Sequence, residues 1–288
     1  MGWVMTKTWD VRPSVALRVG REFRLADFDT AGTPGFSGNE EDAAKMMRKH
    51  AKQLSDLQER LFADGRSGGS RSVLLVLQGM DTAGKGGIVR HVVGMVDPQG
   101  VQHRAFGKPT EEELAHHYLW RIRNALPVAG KIGVFDRSHY EDVLIVRVHK
   151  LVPGDPWQER YDEINAFEAE VAATGTRIIK CAMLISSDEQ KIRLAERLER
   201  PDKFWKFNPG DIDERAHWND YQTVYQDVFD STSTEVAPWH AVPADNKWFA
   251  RLAVGSLLFE ALSEFDLGWP PAEFDVEEQK RRLAELTI

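Results

Sequence analysis

Apolar positions along the chain follow two rhythms. Continuous apolar runs stand at 73–77, 132–135 and 178–185, with a less distinct one at 240–242. Runs of this kind form strands covered on both faces of a parallel sheet. Between them apolar residues recur at helical spacing, roughly over 111–125, 157–173, 187–199, 212–229 and 246–264. Upstream, 40–62 carries Ala44, Met47, Leu54, Leu57 and Leu61 on the same period and stops at the turn residues 64–69. A shorter helical stretch, 88–96, follows the first strand. Such alternation predicts an α/β fold in three layers, a parallel sheet flanked by helices. Residues 1–39, ending in the loop-like TAGTPGFSG, read as an N-terminal leader, 40–270 as one domain and 271–288 as a C-terminal tail. No internal repeat has the period of a solenoid or propeller.

Composition narrows the classes. With 288 residues, 42% of them hydrophobic, the chain can bury the core of one large domain. Lys and Arg total 37 against 45 Asp and Glu, a net charge of −8, so the surface as a whole repels nucleic acid and anionic membranes. No stacking pattern of aromatic and basic residues offsets this, and neither nucleic acid nor membrane is an expected partner. A polyanion would need a local basic patch. The single cysteine, Cys181, excludes an internal disulfide and suits a reducing cytosol, and its apolar neighbours place it in the core. A cytoplasmic location is the expectation. No apolar run approaches the ~20 residues needed to span a bilayer, and no apolar signal segment opens the chain. Residues 1–6, MGWVMT, match the myristoylation pattern, which is short enough to recur by chance.

The candidate chemistry begins after the first strand, in GMDTAGKGG (79–87). A glycine-rich loop between a buried strand and a helix turns its amides inward, and the helix adds its positive end. Met80, Thr82, Ala83, Gly84, Gly86 and Gly87 would cradle phosphate, and Lys85 would add a point charge. A bare glycine turn is the plainer reading, and the lysine at its proper offset favours phosphate. In the usual pattern the next residue is Ser or Thr, whose hydroxyl binds Mg²⁺; here it is Gly86. Asp81 is the candidate replacement. A carboxylate about 4 Å from a phosphate charge costs roughly 4 kcal/mol at an effective dielectric near 20, and a bridging cation reverses the sign.

A second acid, Asp136, ends the run at 132–135. That position suits a metal-binding acid beside a phosphate loop, although an Asp after a strand also serves as a helix cap. Arg137 follows, either a surface ion-pair residue or a bidentate phosphate ligand. Further on, KIRLAERLERPDKFWK (191–206) sets Lys191, Arg193, Arg197, Arg200, Lys203 and Lys206 against three acids. Arg193, Arg197 and Arg200 fall on or near one helical face, and Pro201 breaks the helix before Lys203 and Lys206 around Trp205. Such a segment is either a solvated amphipathic helix or a basic lid over phosphates.

These stretches, together with KPTEEE (108–113), YLWR (118–121), FDRSHYEDVL (135–144), KFWKFNPGD (203–211) and PADNKWF (243–249), resemble the polyphosphate kinase 2 family over about residues 12–269. The resemblance implies a P-loop kinase fold with a helical lid over about 191–215. It implies transfer of a terminal phosphoryl group between inorganic polyphosphate and a nucleotide, with Mg²⁺, or Mn²⁺ in its place, held at Asp81 and Asp136. It further implies functional roles for Asp81, Lys85, Asp136, Arg137, Arg197, Lys203 and Lys206, and contacts from Lys108 and Arg121 to phosphate chain or nucleotide. Glu141, within YEDV, resembles the subgroup that accepts nucleoside monophosphates as well as diphosphates, AMP and ADP or GMP and GDP. Family members form homo-oligomers, so a homodimer or homotetramer is expected. The chain departs from many relatives in carrying Arg200 where they have Asp, and Gly86 where the loop reads Gly-Lys-Asp-Gly. Two other functions share the loop and acids: an ATP-dependent nucleotide kinase on the same fold, and a nucleotide-sensing module without catalysis.

Overall fold

A computed structural model of the chain describes residues 9–151 and 157–286, so the myristoylation-like residues 1–6 lie outside the described residues. Five strands form one wholly parallel sheet in the order β2-β3-β1-β4-β5. They are β1 (Ser72–Gln78), β2 (Val101–Ala105), β3 (Ile132–Asp136), β4 (Thr176–Leu184) and β5 (Trp239–Pro243). β1 lies at the centre, buried at every position, and its apolar run is continuous because both of its faces are covered. Its neighbours are β3 on one side and β4 on the other, so the strand order reverses at β1. The crevice beyond the carboxyl ends of the strands at such a reversal is where α/β sheets bind ligands.

Val73, Leu75 and Leu77 face one layer, built from the helices Glu40–Arg66, Lys85–His91 and Lys247–Glu264. Leu74 and Val76 face the other, with the helix Trp157–Ala173, and the helix Trp218–Thr232 joins that side over β4 and β5. Glu40–Arg66 starts where the sequence signals it: Asn39 accepts from the Asp42 amide, the Asp42 carboxylate accepts from the Asn39 amide, and three acids fill the first turn. It runs past the predicted stop. Gly65 stays helical because the turn at Gly130 packs against it, and a Cβ there would lie 2.5 Å from the Gly130 Cα. Lys247–Glu264 is apolar nearly all round and accordingly buried. The stretch expected as one helix over 111–125 is two short ones, Glu111–Leu114 and Leu119–Arg123.

β2 has no counterpart among the predicted strands. It is an edge strand with Gln102, His103 and Arg104 at its middle, half-exposed to exposed, so no apolar run marks it. The opposite edge, β5, is covered by the segment expected as a leader. Val19 donates to the Trp239 carbonyl (2.8 Å), Ala241 donates to the Leu17 carbonyl (2.8 Å), and Trp9, Leu17 and Phe36 are core residues. Cys181 is buried, and burial pushes its thiol far above the ordinary range, which makes it inert packing. Among the described residues no helix is long and apolar enough to cross a membrane.

Two histidines are core residues. His50 stacks on Phe259 with ring centroids 4.8 Å apart, and His240 lies in β5 with Nδ1 3.2 Å from the Lys180 carbonyl oxygen. Burial lowers both imidazoles from 6.5 to about 4. A folded pKa below the unfolded one stabilises above pH 6.5, and that contribution is lost as pH falls through about 4. Each site accounts for on the order of 3 kcal/mol over that span. The urea midpoint of His50→Leu should therefore fall less between pH 7 and pH 4 than that of the parent chain; parallel curves would contradict it.

Candidate active site

The loop after β1 is shaped by close approach and by strain. Gly79 passes so near β4 that a Cβ would lie 2.6 Å from the Met183 carbonyl oxygen, which restricts the position to glycine. Gly84 takes the left-handed conformation (φ 109°) and caps the helix Lys85–His91, whose first turn closes from Gly87 and Ile88 onto the Gly84 carbonyl. Thr82 (φ 64°) and Arg137 (φ 63°) are also left-handed, an unfavourable state for residues with a side chain that concentrates at functional sites. At Gly86 and Gly87 a Cβ would meet nothing within 4 Å, so the hydroxyl after Lys85 is missing by sequence and not through crowding.

Lys85 is buried beneath the loop, its Nζ donating to the Gly79 carbonyl (2.6 Å) and the Met80 carbonyl (3.3 Å). Burial pulls its ammonium below the ordinary value, and Asp81 is the main group limiting the fall. Asp81 Oδ1 accepts from Arg137 Nη2 at 3.0 Å. Asp136 stands opposite Leu77 in the β1–β3 register, which sets it beside the start of the loop. Its carboxylate takes no hydrogen bond or ion pair from any described residue. Burial works against the Arg137 guanidinium, and Glu141 and Asp81 more than compensate. Glu141 accepts from Gln78 Nε2, and Gln78 Oε1 accepts from Ser138 Oγ at 3.2 Å. Burial raises the Glu141 carboxyl above the usual carboxylate range, while Arg137 and Gln78 hold the rise back.

This donor set suits one kind of metal. Among the described residues no group of three or more His, Cys, Asp or Glu side chains could cage an ion. An ion that keeps several waters and binds through one or two carboxylates plus substrate phosphates would fit Asp81 and Asp136.

A cleft of about 230 Å³ opens above the loop. Gly79, Met80, Asp81, Arg137 and Glu141 line it, together with Asn208, Asp211 and Glu214 from the segment expected as a lid and Tyr221 from the helix Trp218–Thr232. Burial, then Asp81, raises the Asp211 carboxyl. Sequence reasoning assigned no role to Glu214 and Tyr221: the Tyr221 hydroxyl donates to Glu214 (2.9 Å), and His149 Nε2 lies 2.9 Å from the same carboxylate. No local motif marks them, because they meet only through the tertiary fold.

The lid cations have more varied surroundings than a single basic face. Arg193 is buried, with its guanidinium on the carbonyls of Thr82 (3.0 Å), Ala244 (2.6 Å) and Asp245 (2.8 Å) and on Glu189 (2.8 Å). In this structure four of its five N–H groups brace the phosphate loop and its surroundings, and one N–H on Nη1 remains beside the loop. Arg197 holds Asp211 (3.2 Å) and the Lys206 carbonyl (3.1 Å), and Arg200 pairs with Asp202 (3.0 Å) on the surface. Lys203 reaches the same Asp202 (3.2 Å), while Lys206 is exposed over the Trp205 ring. Lys108 is exposed after β2, and Arg121 is buried against the Gly107 carbonyl (3.0 Å), Glu113 (3.5 Å) and Asp142 (3.9 Å).

Known proteins are similar to this chain in sequence and in fold. The family model described as Polyphosphate kinase 2 (PPK2) matches residues 37–267. An AMP/ADP-polyphosphate phosphotransferase of Meiothermus ruber is 44% identical over 251 residues, 87% of this chain and 92% of that one. An ADP-polyphosphate phosphotransferase of Rhodopseudomonas palustris is 40% identical over 263 residues, 87% of this chain and 89% of that one. The crystal structure of Polyphosphate Kinase 2 from Arthrobacter aurescens TC1 superposes with a TM-score of 0.95 at 49% identity, covering 98% of this chain and all of that one. Likeness at these identities, running through both the loop and the lid, extends well past a common fold: this chain belongs to the polyphosphate kinase 2 family.

Proposed function

We propose that this polyphosphate kinase 2-type enzyme transfers the terminal phosphoryl group of inorganic polyphosphate to AMP or ADP, with GMP and GDP as further acceptors, in a reversible reaction. The observation that carries the reading is the Asp81–Arg137 pair at the loop, in a chain with no hydroxyl after Lys85. It keeps a carboxylate and a guanidinium at the phosphate site, neutralising each other until charge arrives. Asp81 and Asp136 would hold Mg²⁺, or Mn²⁺ in its place, which when bound neutralises charge on the phosphate oxygens. Arg137, once Asp81 takes a cation, is free to turn its planar fork to a phosphate oxygen pair. Lys85 exchanges loop carbonyls for phosphate in the same way.

The acceptor phosphate attacks in line, and its second pKa of about 6 leaves it largely ionised at neutral pH. No general base is needed, so catalysis rests on positioning and charge. Lys108, Arg121, Arg193, Arg197, Lys203 and Lys206 are assigned to the phosphate chain or the nucleotide, and Glu141 to acceptor choice. The Meiothermus ruber relative is named for both AMP and ADP, which supports acceptance of both by this chain. The enzyme is proposed to work in the cytoplasm as a homodimer or homotetramer.

An assay offering AMP or ADP with either polyphosphate or ATP tests the reading. Product with polyphosphate as donor is expected. Product with ATP alone would make the chain an ATP-dependent nucleotide kinase, and phosphate binding without product from either donor would make it a sensing module.

A further inference from the structure

The lid leaves the body through the helix Ser187–Glu199 and returns at Arg215–His217, and the two ends meet at one side chain, Gln190. Arg215 Nη1 donates to Gln190 Oε1 at 2.6 Å and to the Ser187 carbonyl at 3.0 Å, and its Nη2 donates to Ser187 Oγ at 3.1 Å. The nitrogen of the same Gln190 amide donates to the carbonyl of Asp81 at 3.1 Å. Gln190 is 2% exposed at the edge of the cleft, and both of its bonds are part-buried.

The amide has one orientation. Turned over, its NH₂ would face a guanidinium and its oxygen would face a carbonyl, two clashes of like kind. Arg215 therefore sets the direction of the amide, and the amide sets the backbone at Asp81. That backbone is strained one residue on, at Thr82 (φ 64°), whose own carbonyl is held separately by Arg193. Without the Asp81 anchor the peptide between these residues is freer to move, and the Cα that carries the Asp81 carboxylate is held less firmly. We infer that Gln190, oriented by Arg215, is a positioning residue that couples the base of the lid to the Asp81 carboxylate. Displacement of the lid at Arg215 then changes how well Asp81 binds metal. The inference rests on Asp81 being a metal-binding residue.

Gln190→Glu separates this role from a purely structural one. The glutamate keeps an acceptor for Arg215, as an ion pair, and sets a carboxylate oxygen in place of the N–H on the Asp81 carbonyl. In the full chain it should fold, with a thermal midpoint a few degrees below the parent's. Its kcat should fall about tenfold, with Mn²⁺ binding, read by electron paramagnetic resonance without turnover, weakened by about the same factor, as when a residue supporting a metal ligand is lost. KM for AMP should change little. Arg215→Lys, which keeps the charge but loses the fork spanning Ser187 and Gln190, should shift kcat and Mn²⁺ binding in the same direction and decides the matter if Gln190→Glu does not fold. Parental kcat and Mn²⁺ binding in a folded variant overturn the coupling. Asp81→Asn, measured alongside, distinguishes the two failures: parental Mn²⁺ binding there removes the metal role itself, whatever Gln190→Glu does.

Discussion

Asp81→Asn should abolish turnover and the dependence on divalent metal together. Asparagine keeps the shape of the side chain and removes the charge. Without the carboxylate the loop has no acid, and Asp136 would be the one carboxylate left to anchor the ion. A metal supplies several kcal/mol of transition-state stabilisation, so a fall in kcat of about three orders of magnitude is expected, equivalent to ~4 kcal/mol. Stability should barely move: the pair with Arg137 is part-exposed on both sides, and such pairs contribute about 0–1 kcal/mol. A dead but fully folded enzyme is therefore the expected outcome, measured by rate against Mg²⁺ concentration alongside thermal unfolding. Activity retained with an unchanged metal requirement would sink the role given to Asp81.

Lys180→Met should have the largest effect on stability. Lys180 points from β4 into the layer opposite the loop helix and is fully buried. Its three donors are satisfied by Glu168 Oε2 (2.6 Å), the Tyr140 hydroxyl (2.7 Å) and the Thr232 carbonyl (2.8 Å). Glu168 Oε1 in turn accepts from Tyr140 (2.8 Å) and lies 3.2 Å from His139 Nε2. Burial alone would raise the Glu168 carboxyl, but Lys180 and His139 outweigh it and hold it below the ordinary range, so the carboxylate stays ionised. Removing Lys180 strands that charge, which costs about 3–5 kcal/mol. For a chain of this size the thermal midpoint should drop by roughly 10 °C. Replacing both partners, Lys180→Met with Glu168→Leu, should recover much of the loss, since no charge is then left unpaired. Because Tyr140 and His139 sit between Arg137 and Glu141 in the chain, the single variant should also lose activity ahead of unfolding. A midpoint equal to the parent's would contradict this account of the buried network.

The sequence carries those parts of the fold and site that depend on neighbours in the chain. β1, β3 and β4 are legible because a strand covered on both faces must be apolar throughout, and the loop is legible because glycine spacing and lysine offset are local. β2 is not, since an exposed edge strand keeps polar residues on both sides. Lys180 is concealed in the other direction: a lysine inside an apolar run gives no sign of the acid that makes it affordable. The lid shows the limit most clearly. Helical spacing places Arg193 near Arg197 and Arg200, but the carbonyls that occupy Arg193 are 51 to 111 residues away, so its part in bracing the loop emerges only in three dimensions. The clasp of Gln190 on Asp81 spans 109 residues and is invisible for the same reason.

The central claim is that a loop acid organises a metal for polyphosphate-driven phosphorylation of nucleotides. Its most direct test is nucleotide analysis of the purified chain incubated with AMP and polyphosphate, free of ATP at the start, with Mg²⁺ and then with excess chelator. ADP followed by ATP should form with the metal, and neither with the chelator. Products that form equally in both, or no product from polyphosphate under either condition, would contradict the account.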